Sequence, residues 1–123
     1  MKVLVAEKIA QEGIEVLKEA DLTVDVQLNL TREQLLNIIE DYDAIVVRSV
    51  TKINEEFYQR AKNLKVVGRA GTGVDNIEME GATLRGIIVV NTPEANNVSA
   101  AEHTIGLLLS SIRNIARGNQ RIK

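Results

Sequence analysis

The residues best suited to chemistry lie at positions 65–76, where the apolar run Lys65-Val66-Val67 opens into Gly68-Arg69-Ala70-Gly71-Thr72-Gly73-Val74-Asp75-Asn76. A strand that runs into a glycine-rich turn and then a helix start leaves backbone N–H groups pointing outward, an arrangement that holds an anionic group. Arg48-Ser49 is a second candidate, because a charge abruptly ends the apolar run Ala44-Ile45-Val46-Val47. The guanidinium offers a planar fork of donors for carboxylate or phosphate, and the hydroxyl adds another. The stretch 91–97 is a third, holding the only proline, Pro93, with Asn96 and Asn97. Two readings stand side by side. In one, Arg48, Ser49 and the backbone of Gly71-Thr72-Gly73 line an acid-binding cleft. In the other, Arg48 caps a neighbouring helix, the glycines merely turn the chain, and one asparagine caps the last helix. Asp75 orients the turn by bonding its N–H groups or binds a ligand hydroxyl, the first being the better fit to a short side chain. Gly71-Thr72-Gly73 is not a dinucleotide fingerprint, because the third glycine of G-x-G-x-x-G falls at Asn76. His103, the only histidine, lies inside a helical segment without a second histidine or cysteine, and is assigned a structural or surface role.

Composition narrows the classes. With 15 basic and 17 acidic residues interspersed and a net charge of −2, the chain has no footprint for nucleic acid or a charged membrane surface. Any basic group that matters therefore acts singly. The absence of cysteine excludes disulfides, thiolate catalysis and cysteine metal sites, and fits a cytoplasmic location. No uncharged run approaches the roughly 20 residues that span a bilayer. The opening Met1-Lys2-Val3-Leu4-Val5 reads as a first strand rather than a signal peptide. Aromatics are 2% of the chain, so the core must be built from Val, Ile, Leu and Ala, and base-stacking platforms are lacking.

These candidates need elements to position them. Val3-Leu4-Val5-Ala6 is a continuous apolar run, as expected of a strand buried on both faces. Ile9, Gly13, Val16, Leu17 and Ala20 then predict an amphipathic helix over about 8–20. Residues 24–28 alternate and predict an edge strand. Thr31 and Gln34 form a capping box for a helix carrying Leu35, Leu36, Ile38 and Ile39. Residues 44–47 form a central strand, and Asn54 caps a helix with Glu55 and Glu56 in its first turn and Phe57, Tyr58 and Ala61 for packing. Strand 64–68 follows, then a helix capped by Asn76, with Glu78 and Glu80 in its first turn and a stop at Arg85-Gly86, then strand 87–90. Ser99 and Glu102 form a second capping box, opening a long helix with Ile105, Leu108, Leu109, Ile112 and Ile115 on one face and Leu107 widening it. Five strands alternating with helices predict an open α/β sheet of flavodoxin-like order 2-1-3-4-5, with helices on both faces. In such sheets ligands sit beyond the carboxyl ends of the strands, where all three candidate loops leave. The apolar stripe of helix 99–117 needs cover from another chain or from residues absent from this sequence, and self-association through it is expected.

Val46-Val47-Arg48-Ser49, the run 66–76, Gly86-Ile87-Ile88-Val89-Val90-Asn91-Thr92-Pro93 and Ser99-Ala100-Ala101-Glu102-His103-Thr104 closely resemble, in that order and spacing, the amino-terminal part of the D-isomer-specific 2-hydroxyacid dehydrogenases. The resemblance covers nearly the whole chain. It implies a flavodoxin-like substrate-binding domain over 1–96 and the first long helix of a cofactor-binding domain over 97–123. The nicotinamide-binding loop and the catalytic Arg, Glu and His of that family then fall beyond Lys123, so no catalytic residue and no metal ligand is expected within this chain. By the resemblance, Arg48 and Ser49 help hold a phosphorylated 2-hydroxy acid, 3-phosphoglycerate. The Thr72-Gly73 backbone receives its carboxylate, Asn96 contacts it from the hinge side, and Thr72 also lies near the nicotinamide of NAD. His103 does not align with the family's catalytic histidine. The activity implied for the longer protein is NAD-dependent oxidation of 3-phospho-D-glycerate to 3-phosphohydroxypyruvate, opening serine biosynthesis, by a cytoplasmic dimer. The chain alone is expected to bind no NAD and to lack turnover. Two other classes compete. A receiver domain needs clustered acids after strand one and a phosphoacceptor Asp after strand three, where this chain has Glu7 alone and Arg48, so it is set aside. The other is an independently folding flavodoxin-like module with only a structural or self-associating role.

Overall fold

The computed structural model describes residues 1–113, 118 and 119. Contacts divide the chain into two units, Met1–Pro93 and Glu94–Lys123. In the first, β1 (Lys2–Val5), β2 (Thr23–Val26), β3 (Ala44–Val47), β4 (Val66–Arg69) and β5 (Ile88–Asn91) form one parallel sheet in the order β2-β1-β3-β4-β5. This is the flavodoxin-like order expected. The connecting helices are α1 (Gln11–Glu19), α2 (Arg32–Ile38) with a 3-10 turn at Ile39–Asp41, α3 (Glu55–Arg60) and α4 (Met79–Leu84).

Register explains the core. Leu4, Ile45, Val67 and Val89 lie in one row across four strands, and the first three are wholly buried, in one cluster with Ile39, Ile53 and Phe57. Alternation along each strand sends the neighbouring row to the opposite face. That row, Val5, Val46, Gly68 and Val90, is closed at Val5 and opens towards the edge, where Val90 is 50% exposed. The apolar run of the fifth strand is therefore not a buried one: Ile88 is 61% exposed, because β5 is an edge strand with only its Val89 side against the core.

Local signals account for most helix ends. Thr31 and Gln34 make the expected capping box, and the Asn54 side chain accepts the Phe57 N–H. Gly86, at φ +66°, ends α4, with its N–H donating to Thr83 O and that of Ile87 to Ala82 O. Gly81 has no room for a side chain, since a Cβ there would fall 2.7 Å from the Tyr58 ring.

Three expectations give way. Helix α1 starts at Gln11 and buries Ile14, leaving Val16 64% exposed. Residues 7–10 are spent on the loop beyond β1, and the stripe that meets the sheet is the one through Ile14 and Leu17, which turns Val16 outward. Helix α4 starts at Met79 with Glu78 at its N-cap position, so Asn76 is not its cap. In the second unit, α5 (Asn97–Ile112) starts ahead of Ser99, with Asn96 at the N-cap position and the Ala100 N–H donating to Asn96 O. Ser99 is already inside the first turn, so the expected Ser99–Glu102 box does not cap this helix. Along α5, Ile105, Leu107, Leu108, Leu109 and Ile112 are all more than half exposed. Ile115 and the end of the expected helix 99–117 lie outside the described residues.

Candidate functional site

The carboxyl edge of the sheet brings its loops together by register: Val47, Arg69 and Asn91 lie in one row at the ends of β3, β4 and β5. Hydrogen bonds then tie the loops beyond it. The Ala70 N–H donates to Val47 O at 2.9 Å, Thr92 N–H to Gly71 O at 3.0 Å, and Asn91 Nδ2 to Thr72 O at 2.8 Å. Further out, Ile53 pairs with Ile77 in a parallel bridge, with Ile53 N–H on Asn76 O at 2.9 Å and Glu78 N–H on Ile53 O at 2.8 Å. Ile53 and Ile77 are both buried, so these loops are anchored by apolar packing as well as by hydrogen bonds.

Asn76 is the hub of this edge. Its Nδ2 donates to Arg48 O at 2.8 Å and Thr51 O at 2.7 Å, while its Oδ1 accepts from Arg69 Nε at 2.8 Å. The Arg69 side chain is only 10% exposed and reaches Asp75 Oδ1 at 3.3 Å. Asp75 thus bonds a guanidinium rather than the N–H groups of the turn. The glycine turn is also not a helix N-terminus, since α4 begins at Met79, and the Gly71 N–H is turned back to Arg69 O at 2.9 Å. Among the described residues, the N–H groups of Thr72 and Gly73 have no backbone acceptor. A Cβ at Gly73 would approach Asp75 Oδ1 to 3.0 Å, close enough that the exposed Asp75 carboxylate would have to shift.

The loop beyond β1 brings a carboxylate, Glu7, to this edge. Glu7 Oε1 accepts the Thr51 N–H at 2.9 Å and Oε2 the Val50 N–H at 3.3 Å. Partial burial raises its pKa, but the N–H groups of Thr51, Arg48 and Val50 and the Thr51 hydroxyl outweigh that and hold it below the usual carboxylate range. Lys8 follows it. Arg48 and Lys8 together line two adjoining hollows of about 400 and 440 Å³, the first with Glu7, Val50 and Thr51, the second with Ile9 and Ala70. Volumes of this order hold small ligands.

Arg48 is exposed, and among the described residues neither it nor Lys8 has a carboxylate within ion-pair distance. Other arginines differ. Arg32 is held by Glu56 at 3.0 Å, Asn54 and Lys52 O, and Arg85 by Glu55 at 2.5 Å. Among the described residues the Arg48 side chain caps no helix and has no hydrogen-bond or ion-pair partner, which leaves its guanidinium open to an outside acid. Ser49, beside it, is exposed as well. Thr72 is exposed and Gly73 half-buried on the neighbouring turn. Asn96 belongs to the second unit, exposed at the N-cap position of α5 with no cap bond from its side chain, and His103 is exposed on the same helix.

Glu7, Lys8, Arg69 and Asn76 are the residues that sequence reasoning passed over. The rule that ligands gather beyond strand ends applies to β1 as much as to β3 and β4, and would have marked Glu7 and Lys8. Nothing local marks Asn76 as a support for the 48–51 loop, since the two carbonyls its amide holds lie 25 and 28 positions away. Among the described residues, no three His, Cys, Asp or Glu side chains are placed to hold a metal ion, and no helix is long and apolar enough to cross a membrane.

A parallel sheet in this order, with exposed cations at its carboxyl edge, defines an open α/β domain of the flavodoxin-like class. The family described as D-isomer specific 2-hydroxyacid dehydrogenase, catalytic domain, matches residues 3–118, and the chain belongs to that family. Among curated relatives, it is 50% identical to the D-3-phosphoglycerate dehydrogenase of Archaeoglobus fulgidus over 123 residues, covering 100% of this chain and 23% of the relative. It is 46% identical to the enzyme of that name from Methanocaldococcus jannaschii, with the same two coverages, 100% and 23%. The chain thus spans about a quarter of the length of these relatives. Among solved structures, a protein of Pyrococcus horikoshii OT3 matches with a TM-score of 0.84 and 36% identity over 98% of this chain and 36% of that one. A cofactor (NAD+)-bound 3-phosphoglycerate dehydrogenase of Entamoeba histolytica matches with a TM-score of 0.77 and 32% identity over 89% of this chain and 38% of that one.

Proposed function

We propose that residues 1–96 are the substrate-binding domain of an NAD-dependent 2-hydroxyacid dehydrogenase. Residues 97–123 belong to its cofactor-binding domain, whose first long helix begins with α5. The longer protein oxidises 3-phospho-D-glycerate to 3-phosphohydroxypyruvate, the step that opens serine biosynthesis, in the cytoplasm and as a dimer. The observation that carries this reading is the Arg48 guanidinium, without an ion-pair partner among the described residues, on a strand-end loop whose Arg48 O is tied to Asn76 at the end of the glycine turn. The names and identities of the relatives supply the substrate class. Arg48 and Ser49 bind one acidic end of 3-phosphoglycerate, the N–H groups at Thr72 and Gly73 receive the carboxylate, and Asn96 makes a further contact.

The glycine turn lacks the third glycine of a dinucleotide loop. The position of the third glycine is Asn76, whose amide is fully used in holding the loops, and no helix starts there. NAD is accordingly assigned to the longer protein, with Thr72 as this chain's contact near the nicotinamide. The chain alone binds acid without oxidising it. Titration with 3-phosphoglycerate and assay of the purified chain with NAD test this together. Saturable binding without turnover is the expected result, and NAD-dependent turnover by the chain itself would overturn it.

The exposed Ile105, Leu108 and Ile112 support self-association through α5, the described part of the helix expected over 99–117. Light scattering over a range of concentrations checks it, and a concentration-independent monomer would rule it out.

A further inference from the structure

The loop that carries Arg48 and Ser49 is gripped from two sides. Its carbonyls, Arg48 O and Thr51 O, are taken by the Asn76 amide, and its N–H groups at Val50 and Thr51 by the Glu7 carboxylate. Chemically the two grips are complementary, since an acceptor-only group faces the donors and a donor faces the acceptors. Glu7 has no protein cation at ion-pair distance among the described residues, so the geometry gives it no partner other than this loop. It sits where a bound anion would sit, on two consecutive N–H groups, and its depressed pKa is what those donors would produce. The charged groups lining the same hollow are Lys8 and Arg48.

We infer that Glu7 is a positioning residue: an internal anion that occupies the Val50 and Thr51 N–H groups, fixes loop 48–51, and leaves Arg48 and Ser49 as the groups that meet substrate. The inference rests on the acid-binding reading above and adds to it the device that sets the site's shape. A plain electrostatic role makes the opposite prediction, because a carboxylate beside an anion site repels ligand and its removal would tighten binding.

Two variants separate these. Glu7→Gln keeps the size but turns an N–H₂ towards one loop donor, and Glu7→Asp keeps the charge but withdraws it by a methylene. The amide resonances of Val50 and Thr51 should titrate together with a low-pH midpoint in the wild-type chain and lose that titration in Glu7→Gln. Both variants should weaken 3-phosphoglycerate binding by about three- to tenfold. Tighter or unchanged binding in Glu7→Gln, or Val50 and Thr51 amides that behave alike in wild type and Glu7→Gln, would overturn the inference. If the wild-type chain fails to bind 3-phosphoglycerate, the substrate reading falls while the amide titration still decides whether Glu7 sets the loop.

Discussion

Replacing Asn76 by Ala should loosen the whole carboxyl edge. The side chain makes three hydrogen bonds, to Arg69 Nε, Arg48 O and Thr51 O, all between 2.7 and 2.8 Å. A bond to a charged donor contributes about 1.5–3 kcal/mol and a neutral one about 0.5–1.5 kcal/mol. Arg69 is nearly buried, so its Nε is left without water to replace the lost acceptor, whereas Arg48 O lies on an exposed residue and recovers part of its loss from solvent. The sum is about 2–4 kcal/mol. Urea unfolding followed by circular dichroism should show this as a midpoint lower by about 1–2 M at an unchanged slope, for a slope of the usual size in a chain of this length. Asn76→Asp sharpens the test. It keeps the acceptor for Arg69 and adds an ion pair, yet turns a carboxylate oxygen towards two carbonyls, so it should be destabilising despite the new charge pair. The reasoning fails if Asn76→Ala moves the midpoint by less than about 0.3 M, or if the amides of Arg48 and Thr51 keep their wild-type shifts.

Arg48→Ala should weaken 3-phosphoglycerate binding about 10- to 100-fold, the worth of charge-assisted bonds, and Arg48→Lys should recover only part of it because the planar fork is lost; isothermal titration measures both. Phe57→Ala, at a wholly buried position in the core cluster, should cost about 3–5 kcal/mol in urea unfolding without moving ligand affinity in the folded fraction. Burial, with the Asp25 carboxylate that accepts its hydroxyl, pushes the Tyr42 pKa up to about 12. Its folded pKa lies above the unfolded one, so the stability it contributes is complete below pH about 10 and lost as pH rises towards about 12. Thermal unfolding across that window should fall more steeply for wild type than for Tyr42→Phe.

Sequence patterns carried the sheet and its order because β1 and β3, both interior strands, read as continuous hydrophobic stretches, while β2 alternates and belongs at an edge. They carried Arg48 and the glycine turn because an arginine ending an apolar run and a close pair of glycines are local anomalies. What they did not carry is the support beneath. Asn76 looked like a helix cap because asparagine before two acids usually is one, yet distant carbonyls claimed its amide and the helix began three residues later. Asp75, by contrast, is held by Arg69 six positions back in the same turn. The Asn76 bonds are of another kind: they depend on which loops meet across the sheet, and that is decided by register rather than by neighbours in sequence.

The central claim is that the edge carrying Arg48, Ser49, Thr72 and Gly73 is an acid-binding site. Amide spectra of the isolated chain titrated with 3-phosphoglycerate test it most directly. The account predicts saturable shifts confined to 48–51 and 71–73, abolished by Arg48→Ala. The absence of shifts at millimolar ligand, or shifts that persist in Arg48→Ala, would contradict it.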